Sequence, residues 1–106
     1  SDSKIGKFLR KWVSLENRLS QLLLKYGYSS NRPGGIHRSI VESKILPNNV
    51  FMEYNILRQV RNKLVHAMEI PDESDFDRYM DLIDKIYSLL DDRNNFFSVS
   101  SDSEQI

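Results

Sequence analysis

The sequence predicts an all-α protein folded as a compact four-helix bundle, and two observations support this fold class. Apolar residues recur at the 3.6-residue spacing of an amphipathic helix in four successive segments. Glycine and proline number only 4 and 3 in 106 residues and are clustered, so few breakers interrupt these segments. No segment makes a convincing strand. Four such helices joined by short connections are typical of a helical bundle.

The first helix is expected from Asp2 or Ser3, either of which suits an N-cap, to Lys25 or Tyr26. Gly27 would end it, because glycine readily adopts the left-handed conformation found after many helices. Glu16 lies on the edge of the apolar face. That face consists of Ile5, Phe8, Trp12, Leu15, Leu19, Leu22, Leu23 and Tyr26.

The second and third helices are predicted on either side of Pro47. A short helix from about Ile36 to Ile45 should stop before the proline, which disfavours helix in the residue preceding it. The third should begin with Asn48 or Asn49 as its cap and continue to about His66. Arg61 lies on the same side as its apolar stripe, which is Val50, Tyr54, Leu57, Val60 and Leu64.

The fourth helix is expected to follow Pro71 and to run to about Leu90. Asp72, Ser74 and Asp75 are candidate caps at its start. Its predicted buried side is Phe76, Tyr79, Met80, Ile83, Ile86, Tyr87 and Leu90. We expect Trp12, Tyr54, Tyr79 and Tyr87 to belong to the core and not to a base-stacking surface.

Length and composition indicate one soluble domain and exclude several classes of chemistry. We expect a helical domain over residues 1–92 and a flexible, Ser-rich acidic tail over residues 93–106. We also expect the chain to be a domain of a longer protein. Fifteen basic and fifteen acidic residues balance, so any nucleic-acid footprint must be local. The chain has no cysteine, which excludes thiolate catalysis and cysteine-ligated metals. No apolar run approaches the roughly 20 residues of a membrane span, so we expect an intracellular protein, cytoplasmic or nuclear, without a membrane partner.

The run Arg61-Asn62-Lys63-Leu64-Val65-His66 carries the clearest candidate chemistry. Guanidinium binds phosphate through forked, charge-assisted hydrogen bonds, and imidazole exchanges protons near neutral pH. Arginine followed by histidine five positions later also occurs at Arg32 and His37, so the spacing alone has little meaning. Arg32, however, lies in a Pro-Gly-Gly loop, whereas Arg61 is placed by an amphipathic helix. Only the Arg61–His66 run is therefore expected to be positioned by a helix.

This run resembles the motif of the HEPN superfamily, small helical bundles whose name abbreviates higher eukaryotes and prokaryotes nucleotide-binding. Many members carry arginine, a polar residue and then histidine after four to six intervening positions. The resemblance implies a metal-independent endoribonuclease that acts as a dimer and needs no cofactor. It makes Arg61 and His66 the catalytic pair and Asn62 their polar companion. Glu16 is the one candidate for the acidic residue that often supports such sites from the first helix.

The chemistry of RNA cleavage agrees with a dimer. Attack of a 2′-hydroxyl on the adjacent phosphorus needs a base, an acid and positive charge at the phosphorane. One chain offers a single well-placed histidine, and a two-fold interface would bring two copies together. In an ideal helix, Arg61 and His66 lie about 140° apart. Either the helix distorts before His66, or the two residues meet only across a dimer.

Simpler interpretations remain open for the same residues. One interpretation makes Arg61 a structural ion-pair partner of Glu16, since buried charges need partners. Another gives His66 only the role of complementing the dipole of a helix C-terminus. Arg58 and Lys63 are candidates for contacts to RNA phosphates, or belong to an ordinary solvated face. Two histidines without suitably spaced acidic residues argue against a metal site. The alternative function is a non-catalytic docking or dimerisation module of a larger RNA-processing or defence protein.

Overall fold

A computed structural model describes residues 2–31 and 34–92, and within these ranges the chain is helical without any strand. The predicted all-α bundle is therefore confirmed. Arg32 and the predicted tail over residues 93–106 lie outside the described residues. The helices are α1 (Asp2–Lys25), α2 (Gly35–Ser43), α3 (Asn48–Asn62) and α4 (Glu73–Asp91), and a π-helical turn, Lys63–Ala67, continues α3.

Helices α1 and α4 run parallel, and three ion pairs bridge them at regular intervals. The pairs are Lys4–Asp77 at 3.0 Å, Lys11–Asp84 at 2.6 Å and Arg18–Asp91 at 2.9 Å. Residue number increases by seven from one pair to the next on both helices, which is possible only if the two helices point the same way. We call these three pairs the ion-pair ladder.

The apolar seam beneath the ladder forms much of the core. The rings of Phe8 and Phe76 meet edge to face at 5.9 Å between centroids, and both side chains are fully buried. Most of the predicted face of α1 is buried, and Ile5 packs partly buried against it. Tyr26 is an exception, with 44% of its surface exposed, because it follows the last residue of α1.

Helix α1 ends at a Schellman motif, as the position of Gly27 predicts. Gly27 is left-handed, with φ 88°, and its N–H donates to the Leu24 carbonyl. The N–H of Tyr28 donates to the Leu23 carbonyl at 2.9 Å. These two bonds satisfy carbonyls that the end of a helix otherwise leaves without partners.

Helix α2 differs from its predicted limits by one or two residues, and α3 ends at Asn62, four residues before its predicted end, where the π turn replaces it. Helix α2 begins at Gly35 and stops at Ser43 because Lys44 adopts a left-handed conformation, with φ 54°. The N-cap of α3 is Pro47 and its first residue is Asn48, so neither asparagine is the cap. The apolar stripe of α3 is buried as predicted.

Helix α3 packs antiparallel to α4, which begins after a short connection. Lys85 on α4 donates to Glu53 on α3 at 2.7 Å. Asp72 occupies the N-cap of α4 but makes no side-chain capping hydrogen bond. Of the predicted buried side of α4, the aliphatic and phenylalanine positions are buried, whereas Tyr79 and Tyr87 pack half-buried at its edge. No helix in the described part of the chain is long and apolar enough to span a membrane.

The end of α3 does not follow ordinary α-helical geometry. After Asn62 the chain widens into the π turn, and the Lys63 carbonyl accepts hydrogen bonds from the N–H groups of both Met68 and Glu69. Met68 closes the turn in the left-handed region, with φ 55°, and its side chain is 77% exposed. A left-handed residue with a side chain costs roughly 1–2 kcal/mol relative to the right-handed form.

Replacing Met68 with glycine should stabilise the protein. Glycine removes the steric cost of the left-handed conformation, and its own entropic cost of about 0.5–1 kcal/mol offsets part of the gain. We expect the free energy of unfolding to rise by up to about 1 kcal/mol. The matched control is Ala67→Gly, one residue earlier, which should destabilise by about 1 kcal/mol because its conformation is helical. Urea denaturation of both variants measures the difference, and destabilisation by both would contradict the strain at Met68.

Candidate functional site

The Arg61–His66 run straddles the junction between α3 and the π turn. Arg61 and Asn62 are the last two residues of α3 and are both half-buried. The Arg61 Nη1 atom donates to the Asn62 Oδ1 atom at 3.2 Å. This bond ties the two polar side chains together, so the asparagine restrains one edge of the guanidinium and leaves its other N–H groups available.

His66 is exposed in the π turn, whereas Leu64, two residues before it, is buried. Within the described residues, no hydrogen bond or ion pair joins His66 to Arg61. In a π turn the hydrogen bonds span five residues instead of four, so each residue rotates the chain by less than the 100° of an α-helix. The angle between Arg61 and His66 is therefore smaller than about 140°. Of the two predicted alternatives, the helix does distort before His66.

Glu16 lies beside this junction on α1 and is half-buried. Burial raises the pKa of its carboxyl, and the nearby charge of Arg61 and the indole of Trp12 oppose that rise without cancelling it. No ion pair within 4 Å joins Glu16 to Arg61 among the described residues. The charge of Arg61 therefore acts on the Glu16 carboxyl, but the two side chains do not form the direct ion pair that the simpler interpretation required.

The indole of Trp12 is part of the surroundings of Glu16. Its Nε1 atom is buried and has no hydrogen-bond partner within ordinary distance and angle limits, although its influence lowers the pKa of Glu16. The two observations agree if the indole N–H points towards the carboxyl with geometry short of a full hydrogen bond. A small movement of either side chain would complete the bond.

His37 occupies a more structured environment than its loop-adjacent sequence position predicts. Its ring stacks on Tyr54 at 6.1 Å and on Phe51 at 6.2 Å between centroids. Tyr54 stacks in turn on Trp12 at 5.6 Å. Burial, and secondarily the charge of Arg58, lower the pKa of His37. We call these four side chains the aromatic stack.

The aromatic stack connects α1, α2 and α3 next to the candidate site. Burial raises the pKa of Tyr54 to about 12, with Arg58 lowering it and Glu16 raising it. Glu16 and Arg58 thus both act on the same buried phenol. The sequence signal for the stack was the spacing of Phe51, Tyr54 and Arg58 on one side of α3, which places them together on the α2-facing edge.

The two candidate RNA-contacting cations differ in exposure. Arg58 is half-buried beside the aromatic stack, and Lys63 is exposed at the start of the π turn. Three apolar side chains within four residues of His66 in the sequence are also exposed: Val65 at 44%, Met68 at 77% and Ile70 at 56%. We call these three the apolar collar.

The described part of the chain contains no group of three or more potential metal ligands.

Comparison of the chain with protein-family models, characterised proteins and solved structures gave no match. The resemblance to HEPN domains thus depends on the Arg61–His66 run and the helical layout alone.

The raised pKa of Glu16 predicts how its removal changes stability with pH. Between about pH 4.5, the unperturbed value, and the raised pKa, the folded protein holds a proton that the unfolded chain has lost. The contribution of the Glu16 carboxyl to the free energy of unfolding is therefore fully present below pH 4.5 and is lost as the pH rises through the raised pKa. We expect the free energy of unfolding of Glu16→Gln to increase relative to that of wild type as the pH rises from 4 to 7. Glu69→Gln, at an exposed site, is the control, and a relative loss for Glu16→Gln would indicate a stabilising bridge.

The lowered pKa of His37 predicts acid sensitivity. Below about pH 6.5 the unfolded chain binds a proton at His37 that the folded protein does not, so stability falls as pH decreases towards the lowered pKa. We expect His37→Asn to flatten the dependence of the thermal midpoint on pH between 7 and 5. His66→Asn is the exposed-histidine control. An unchanged slope in His37→Asn would show that protonation of His37 is not the cause.

Proposed function

We propose that the protein is a metal-independent endoribonuclease of the HEPN type, acting as an intracellular homodimer on RNA. The observation that carries the proposal is the π turn Lys63–Ala67, which contains His66 and begins two residues after Arg61. Single π turns within α-helices occur frequently at functional sites, although they also arise as ordinary helix ends. Here the turn overlaps the Arg61–His66 run, which combines a guanidinium, an amide and an imidazole.

In the proposed reaction, the RNA 2′-oxygen attacks the adjacent phosphorus and the bond from phosphorus to the 5′-oxygen breaks. One imidazole accepts the proton of the 2′-hydroxyl, and a second donates a proton to the leaving 5′-oxygen. Arg61 would bind the non-bridging phosphate oxygens, where negative charge develops in the transition state. Asn62 holds the guanidinium from the side, and Glu16 supports it electrostatically from α1. The products would be a 2′,3′-cyclic phosphate and a 5′-hydroxyl.

The need for two imidazoles explains the proposed homodimer. His66 is exposed and projects from the π turn, so a two-fold partner would supply the second copy. The residues of the apolar collar are neighbours of His66 in the sequence, and burial of their exposed side chains in an interface would be favourable. The same interface would exclude water from the reacting phosphate and strengthen its contact with Arg61.

The apolar collar equally favours the second candidate function. A docking module would bury Val65, Met68 and Ile70 against another domain, with Arg61 and His66 serving only association. Exposed apolar residues grouped beside polar ones mark many protein–protein contacts. The two candidates therefore share a surface and differ in whether RNA is cleaved.

RNA cleavage by wild type, His66→Ala and Arg61→Ala separates the candidates. With EDTA present, we expect wild type to cleave a single-stranded RNA and to leave 2′,3′-cyclic phosphate ends. Loss of the acid–base group should reduce the rate at least 100-fold, the lower end of the range for such catalysis. Arg61→Ala should cause a comparable loss because transition-state charge is no longer neutralised.

Two controls make the cleavage test specific. Arg78→Ala removes an exposed arginine that pairs with Asp75 on α4, and its activity should match wild type. Analytical ultracentrifugation should find a dimer for every variant, so that a loss of rate is not a loss of assembly. Equal cleavage by wild type and His66→Ala would eliminate the enzyme proposal. Loss of association without RNA cleavage in any variant would support the docking module.

A further inference from the structure

A basic groove lies between α1 and α4, and none of the residues that line it belongs to the candidate site. Its volume is about 340 Å³, and Ile83 contributes to its floor. We call it the α1/α4 groove, and its polar and aromatic lining consists of Lys7, Arg10, Lys11, Ser14, Asp84 and Tyr87.

The groove contains positive charge that the fold does not neutralise. The ion-pair ladder compensates Lys11 with Asp84. Lys7 and Arg10 make no ion pair with any described residue, although α4 supplies acidic partners to the cations on either side. The lining therefore has a formal excess of two positive charges. In a protein with no net charge overall, this excess is a local feature of the surface.

The Arg10 side chain lies along α1 next to Gly6. Gly6 lies one turn before it, and a Cβ atom added to Gly6 would be 3.2 Å from the Arg10 Nη1 atom. Glycine within a helix is unfavourable compared with alanine, so this position sacrifices helical stability. The missing side chain leaves room for the guanidinium to lie close to the α1 backbone, beside the groove.

We propose that the α1/α4 groove binds a single strand of RNA. Lys7 and Arg10 contact successive phosphates, the Ser14 hydroxyl donates to a phosphate oxygen, and a base stacks on the ring of Tyr87. Free cations that follow a backbone, together with an aromatic ring, are the combination by which proteins hold single strands without sequence preference. The Asp84 carboxylate limits affinity because it neutralises Lys11 inside the groove.

As a substrate-anchoring site, the groove rests on the proposed function, but binding is measurable without cleavage. A 12-nucleotide RNA with every 2′-hydroxyl methylated cannot attack its own phosphates. Fluorescence anisotropy of this labelled strand therefore reports binding alone. Failure of cleavage on unmodified RNA with binding intact removes the ribonuclease, and failure of binding with cleavage intact removes the groove.

The main variant is Lys7→Gln/Arg10→Gln. Two lost phosphate contacts should lower affinity on the order of 20-fold at 0.1 M salt and reduce the slope of log affinity against log salt by about 1.4. Lys25→Gln/Lys44→Gln removes the same charge from exposed positions elsewhere and should leave affinity within about twofold. Circular dichroism of both double variants checks that the helices persist.

Two single variants test the lining of the groove further. Asp84→Asn releases Lys11 and should tighten binding by about fivefold at 0.1 M salt, the effect of one added phosphate contact. Gly6→Ala should raise the thermal midpoint, because alanine favours the helix, and should leave binding nearly unchanged, because the flexible Arg10 guanidinium has to move by only a few tenths of an ångström.

Tyr87→Leu distinguishes RNA from other polyanions. It should weaken binding of the methylated RNA and leave binding of inorganic polyphosphate, which has no bases, unchanged. The proposal is overturned if Lys7→Gln/Arg10→Gln binds as wild type does, or if the Lys25/Lys44 control loses as much affinity. Equal binding of polyphosphate and RNA, with no effect of Tyr87→Leu, would also overturn it by showing a non-specific anion surface.

Discussion

The parallel packing of α1 against α4 is the constraint on which the rest of the bundle depends. Two parallel helices cannot be joined by a tight turn, because the chain must return to the starting end before the second helix begins. Residues 26–72 make that return, and α2 and α3 use it to cover the apolar sides that α1 and α4 leave open. Buried rings such as Phe8 and Phe76 hold the pair together, whereas the partly exposed ion pairs contribute little each.

This return path also determines where the candidate site lies. Helix α3 has to reverse into α4 within a few residues, and the π turn and the left-handed Met68 accomplish the reversal. Arg61 is still held by the apolar side of α3, while His66 already belongs to the turn. One side chain is therefore half-buried and the other exposed, although only five positions separate them. In the proposed ribonuclease, a second copy of the chain would complete the site that the half-buried guanidinium and the exposed imidazole begin.

Apolar periodicity was sufficient to predict the helices, but local backbone events were not predictable from it. The stripe from Val50 to Leu64 identifies α3 because burial of one face determines which residues point inward. A distortion before His66 was one of two alternatives, but its form as a π turn was not predictable because it depends on how the end of α3 meets α4. The left-handed Lys44 was not predictable because lysine has no preference for left-handed backbone. At the site, the half-buried positions of Arg61 and Glu16 followed from helical geometry. The stacking of His37 did not, because it requires the tertiary arrangement of three helices.

The ion-pair ladder has a symmetry that the apolar seam lacks. Because its rungs recur every seven residues, sliding α4 along α1 by one heptad, about 10 Å, would place Lys4 opposite Asp84 and Lys11 opposite Asp91. Two of the three rungs would re-form, so the charges alone discriminate poorly between the native alignment and its translated copy. The aromatic rings do discriminate, because Phe8 would lose Phe76. In this protein, charge selects the relative direction of two helices, and shape selects their alignment.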